Sequence, residues 1–384
     1  MAAPLAAAKD ILARLVAFDT TSHKSNLALI RFVEDYLRQH GVASALVPTP
    51  DGEKASLFAT IGPAGVGGIA LSGHTDVVPV TGQAWSSDPF TLVERDGRLY
   101  GRGACDMKGF VATALALVPE MLAAGLRRPV ILAFTHDEEI GCLAAPPLVA
   151  AMLDALPRPE AVIVGEPSEM RVVTGHKGSW GFRVEVRGHE VHSSLIHRGV
   201  SAVMTAARMV AWMAETTEAN LRAGRGDFDP PCTTLHVGMI SGGTANNITA
   251  RDCRFSGEVR VLPRESVQAW RGRVEAEAAR LEAEARAIHP DARITVATRM
   301  LIPELVPEPD GAAERLARAL TGDNGAHVVS YQTEAGHFQA RGLSTVVCGP
   351  GSIAQAHQPD EFITLDQLDA GAAFLRRLTA RLAA

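Results

Sequence analysis

No run of about 18 uninterrupted apolar residues occurs in this chain, so no membrane-spanning helix is expected. The nearest approach, FVATALALVPEMLAAGL, is broken by Pro119 and Glu120 and reads as a buried helix. The opening MAAPLAAAKDILARLV has no basic segment followed by an apolar core and a cleavage site, and it reads as an amphipathic first helix. Cysteine is scarce and unpatterned. Five residues (Cys105, Cys142, Cys232, Cys253, Cys348) form no C-x-x-C and are odd in number, which fits scattered reduced thiols in a cytoplasmic protein. The Asn247-Ile-Thr sequon would matter only in a secreted chain. No Lys/Arg-rich run offsets the net charge of −6, which argues against a nucleic-acid surface. The motifs G-x-x-x-x-G-K-[ST] and G-x-S-x-G are missing, which removes the P-loop and the common serine-hydrolase routes. GVGGIA, at 65–70, fits G-x-G-x-x-A but enters a strand where a dinucleotide fingerprint must follow one.

What is present is an ordinary globular composition, 47% apolar and 21% charged, over 384 residues, enough for two or three domains. Four oily runs read as buried strands: 67–73, 129–135, 160–165 and 344–349. Helical segments near 107–124 and 143–155 separate the first three, the pattern of an α/β sheet covered on both faces. From about 179 the pattern alternates instead. Phe182, Val184 and Val186 share one face of a strand, and Arg183, Glu185 and Arg187 share the wet one. A helix (199–218), two more alternating strands, a charged helix (264–288) and ARITVATRM complete a β-α-β-β-α-β order, that of a ferredoxin-like module. The expected organisation is one α/β domain, 1–177 and 301–384, interrupted by an inserted domain, 178–300.

In open α/β sheets, ligands bind beyond the carboxyl ends of the strands. The first run ends on His74 and Asp76, the second on Glu138 and Glu139, the third on Glu166, and the fourth leads to His357. Asp106 precedes the helix from about 107, where free N–H groups suit a carboxylate. Each feature has a plain alternative: His74 as a loop histidine, the glutamate pair as solvated, His357 with Asp360 and Glu361 as a surface cluster. Their concurrence at one sheet edge favours a site. Carboxylates gathered there without a cation would repel one another, and an N/O donor set without cysteine suits zinc, cobalt or manganese. Which of the two glutamates ligates stays open. Both cannot, because neighbouring side chains in extended chain point oppositely.

SGHTDVVP, GRGACDMKG, DEEIG, GEP and AHQPDE, in this order, resemble the di-zinc aminoacylase and carboxypeptidase family, over nearly the whole chain. That resemblance implies a di-metal aminopeptidase-like α/β/α catalytic domain carrying a ferredoxin-like lid and dimerisation domain. It implies two divalent ions, zinc first and cobalt as the alternative, bridged by Asp106. His74 and Glu166 would hold one ion, Glu139 and His357 the other. Asp76 would orient His74, and Glu138 would be the general base. His192, in RGHEVHSSLIHRG, would reach the other subunit of a homodimer, while His189 and His197 read as surface residues. Asn247 and Arg260 would bind substrate, Arg260 by its carboxylate; on strand alternation alone, Arg260 is one of a solvated polar face. The segments GQAWSSDPF, YQTEAGHFQ and CGPGSIAQAHQPDEF are similar to a deacetylase branch that acts on N-acyl diamino acids, with Glu334 as the candidate for the side-chain ammonium. His337 stands where an apolar residue is expected. Desuccinylase, aminoacylase and dipeptidase activities are the alternatives within the family. A non-catalytic metal-binding dimer is the alternative outside it, and it would not need Glu138.

Overall fold

The computed structural model describes residues 3–224 and 226–384, so the first two residues of the expected opening helix lie outside the described residues. Contacts divide the chain into two units, Met1–Gly175 with Pro307–His327 and Thr333–Ala384, and His176–Val306 with Val328–Gln332. In chain order the strands are β1 (Ser44–Pro48), β2 (Ala55–Ile61), β3 (Ile69–His74), β4 (Val93–Arg95) and β5 (Arg98–Tyr100). Then come β6 (Val130–Thr135), β7 (Ala161–Pro167), β8 (Val173–His176), β9 (Gly178–Arg187) and β10 (Thr234–Gly242). The last are β11 (Asp252–Val261), β12 (Arg293–Ile302), β13 (His327–Val329), β14 (Thr345–Gly349) and β15 (Phe362–Thr364).

The large sheet is mixed, in the order β1-β2-β6-β3-β7-β14-β8-β13. Its four middle strands, β6, β3, β7 and β14, run parallel, so their carboxyl ends share one edge. Every residue of these four strands is buried, as the continuous apolar runs demand of strands covered on both faces. The wholly buried helix Lys108–Ala116 lies against β3 and β7. It comes close because Gly165 has no side chain: a Cβ there would fall 2.1 Å from the Phe110 ring. The antiparallel strands β1 and β2 at one edge, and the ribbon β15-β5-β4, were not expected from the sequence. Three-residue strands such as β4 and β5 are too short to show a period.

The second unit carries a separate antiparallel sheet, β10-β11-β9-β12, joined in β-α-β-β-α-β order. Trp180, Phe182, Val184 and Val186 face the two helices, Ala202–Ala223 and Val267–Ile288, whose inner stripes include Met209, Met213, Trp270 and Leu281. Ser201 and Ser266 cap those helices, accepting from the N–H groups of Met204 and Ala269. Among the described residues no helix is long and apolar enough to cross a membrane.

Candidate metal centre

The shared strand edge gathers the ionisable groups. His74 closes β3 and is fully buried. Its Nε2 lies 2.9 Å from Asp106 Oδ1 and 3.8 Å from Oε1 of Glu166, which sits in β7. The other oxygen of Asp106, Oδ2, lies 3.4 Å from Nε2 of His357, and that nitrogen is 2.9 Å from Glu139 Oε2. Asp106 therefore stands between two imidazoles, one at each oxygen. Two sets of side chains, His74–Asp106–Glu139 and His74–Glu138–Glu166, bring ligand atoms within 4.8 Å of one another, close enough to hold a metal ion.

Supporting contacts fix the loops that carry these groups. Glu361 accepts from the N–H groups of Gly103 (2.9 Å), Cys105 (2.9 Å) and Asp106 (3.0 Å), and from Arg102 Nη1 (2.8 Å). It is buried and shapes the Asp106 loop, and so is no member of a surface cluster. Only its place after a Pro-Asp pair was visible in the sequence, and that pattern reads as surface. Gln83 donates to the His357 carbonyl (2.9 Å), and His357 itself has a left-handed φ of 62°.

Two of the expected site residues make contacts that the sequence did not show. His74 Nδ1 meets the backbone oxygen of Asp76 at 2.9 Å, while the Asp76 carboxylate is 3.6 Å away. That carboxylate instead accepts from Ser22 Oγ (2.6 Å) and from the N–H groups of Glu138 (3.1 Å) and Glu139 (3.3 Å). It aligns the glutamate pair more directly than it aligns the imidazole. Glu334, expected at a substrate ammonium, is fully buried, with Ser72 Oγ at 2.7 Å and Thr135 Oγ1 at 2.8 Å donating to its two oxygens. Both hydroxyls belong to sheet strands, so the carboxylate is tied into the sheet and is not presented to a ligand.

Charge is poorly compensated within the group. Burial, reinforced by neighbouring carboxylates, lifts Glu138 and Glu166 well above the usual range and pushes Glu139 up to about 7. Burial acts on Asp106 in the same direction, but hydrogen bonds from His357 and His74 outweigh it and hold Asp106 low. His74 is raised despite its burial, by the charge of Glu166 and the bond to Asp106, and His357 is raised to about 10 by Asp106 and Glu139. Glu166 Oε1 is buried with no hydrogen-bond partner. An orphaned carboxylate oxygen among imidazole and carboxylate donors is what a divalent cation would satisfy, and these residues fit one. His337 is a different case: burial lowers it to about 4, so it packs as a neutral ring where an apolar residue was expected.

The other three expected site residues belong to the second unit. His192 is exposed and caps the short helix Ser193–Arg198, its Nδ1 lying 2.8 Å from Ser194 Oγ. The carbonyl of Asn247 accepts from Ser193 N at 2.9 Å, which sets Asn247 beside the His192 segment. Arg260, on β11, is already engaged. It reaches Glu258 through Nε (2.9 Å) and Nη2 (3.3 Å), and Gln332 through Nη1 (2.7 Å).

Parallel strands opening onto an edge of imidazoles and acids define a candidate metal centre. Residues 70–381 match the model of peptidase family M20/M25/M40, and the chain belongs to that family. It is 35% identical to the acetylornithine deacetylase of Myxococcus xanthus, over 99% of this chain and 98% of that one. The corresponding protein of Proteus mirabilis is 33% identical, over 91% and 88%. Among solved structures, a Staphylococcus aureus tripeptidase superposes with a TM-score of 0.77 at 18% identity, covering 99% of this chain and 98% of that one. A Sulfolobus solfataricus metallo-carboxypeptidase gives 0.76 at 16% identity, covering 97% and 98%.

Proposed function

We propose that the chain hydrolyses N2-acetyl-L-ornithine to L-ornithine and acetate, with Asp106 among the residues that would hold two divalent cations. Asp106 between His74 and His357 is the observation that carries the reading, and the acetylornithine deacetylases it resembles along nearly its whole length support the substrate. His74 and Glu166 would hold one ion, and Glu139 and His357 the other, with zinc preferred and cobalt the alternative. Ions held there supply Lewis acidity to the acyl carbonyl and lower the pKa of water from about 15.7 toward about 7. Glu138 takes the proton of that water and returns it to the nitrogen of the leaving amine.

Binding and orientation fall to the second unit in this reading. Arg260 exchanges its paired contact with Glu258 for the substrate's α-carboxylate, which it can grip with two N–H groups. Asn247 adds a polar contact. His192, its Nδ1 occupied by Ser194, offers Nε2 to the developing oxyanion of the other subunit in a homodimer, an interaction typically worth about 2.7–4 kcal/mol. The setting proposed for the reaction is the cytoplasm.

The test is a paired assay on metal-replete protein, measuring acetate release from acetylornithine against succinate release from N-succinyl-diaminopimelate. Chelator-sensitive acetate release that outpaces succinate release is expected. Faster desuccinylation, or no hydrolysis of either compound, would overturn the substrate assignment.

A further inference from the structure

The loop after β6 holds three left-handed residues close together: Asp137 (φ 57°), Gly141 (φ 121°) and Cys142 (φ 54°). Glycine is the usual occupant of such a conformation, and a non-glycine residue kept there invites a functional explanation. The side chain kept at 142 is a buried thiol whose Sγ donates to Glu138 Oε1 at 3.3 Å. The backbone closes the same turn, because the N–H groups of Gly141 and Cys142 both reach the Glu138 carbonyl at 2.9 Å. The ionisable neighbours that act on the thiol, Glu138, Glu334 and Glu166, are all acids; burial comes first and their charges second in keeping it protonated. A protonated thiol among carboxylates is a donor, and Glu138 is the acceptor it reaches. Among the described residues, neither set of side chains able to hold a cation includes Cys142.

We propose that Cys142 is a positioning residue for Glu138: its S–H group pins Oε1, fixes the side-chain rotamer, and leaves Oε2 to exchange the proton. This rests on Glu138 being the general base. The reaction needs that carboxylate in one orientation, and small displacements of a catalytic group are costly in rate. Among the described residues, the thiol contact is the loop bond that reaches the carboxylate of Glu138 itself; Asp76 holds its backbone N–H.

Three variants of the full chain, loaded with metal, separate positioning from packing. Cys142→Gly suits the left-handed backbone, so its thermal midpoint and metal content should match or exceed those of the parent. Its kcat should nonetheless fall about tenfold at unchanged KM, the expected consequence of losing one hydrogen bond to a charged group. Cys142→Ser restores a donor and should recover the rate to within about threefold. In Glu138→Gln, which removes the proposed base, kcat should collapse. If Cys142→Gly turns over like the parent while Glu138→Gln is inactive, the positioning role is wrong and the base assignment stands. A Glu138→Gln enzyme with parental kcat sinks the base assignment itself. Rate loss in Cys142→Gly that follows loss of metal or of fold would also overturn the proposal.

Discussion

His74 and His357 approach opposite oxygens of one aspartate, and their settings could hardly differ more. His74 ends a central strand with its ring fully buried, whereas the His357 side chain is 53% exposed on a loop with left-handed backbone at His357 and Asp360. The buried end is built by the sheet, whose parallel register sets His74 and Glu166 on adjoining strands. The exposed end is held by loop contacts, among them Gln83 to the His357 carbonyl. A site made this way has one end fixed at folding and another open to water. Uncompensated charge costs far more at the buried end, where water cannot screen it.

The largest effect expected lies between the two ends. Glu138→Ala should lower kcat by about 10²–10⁴ while both ions are kept. Loss of metal in that variant would mean that Glu138 ligates and that Glu139 is the base.

The comparison itself breaks most cleanly with paired imidazole deletions. His74→Ala strands Asp106 and Glu166 in the interior and should cost about 3–5 kcal/mol of stability, read by denaturant unfolding. His357→Ala removes a half-exposed ring from the buried Asp106 and Glu139 and should cost less than His74→Ala while still abolishing turnover. Equal destabilisation would erase the distinction between a sheet-built and a loop-built end.

A smaller, graded effect is expected with pH in metal-free protein. Glu139 is raised from 4.5 to about 7, so the unfolded chain ionises first, and stability should decline as pH rises through that window. His357 is raised from 6.5 to about 10; its contribution is complete below 6.5 and fades as pH climbs toward 10. Both act in the same direction. Cation binding needs these groups deprotonated, so the gap in melting temperature between loaded and metal-free protein should widen from pH 5 to pH 8. A gap independent of pH would contradict the charges assigned here.

Much of this architecture was readable because each element carried its own signal. Continuous apolar runs marked β3, β6, β7 and β14, and the residues at which they stopped marked the candidate ligands. Strict alternation in β9 separated the second sheet from the first. What was hidden depended on contacts between distant residues. Glu361 sits in a polar cluster in sequence, and only folding turns its carboxylate onto three N–H groups of the Asp106 loop. The donors to Glu334, Ser72 and Thr135, lie more than 190 residues earlier and could not be read from its neighbourhood in sequence. The spacing of Glu258 and Arg260 does place them on one strand face, and their ion pair could have been anticipated.

Metal stoichiometry tests the central claim most directly. Protein saturated with zinc, dialysed and measured by elemental analysis should retain about two ions per chain, and His357→Ala should retain about one. Parent protein that keeps no zinc above the dialysis buffer, or a His357→Ala variant that still holds two, would contradict it.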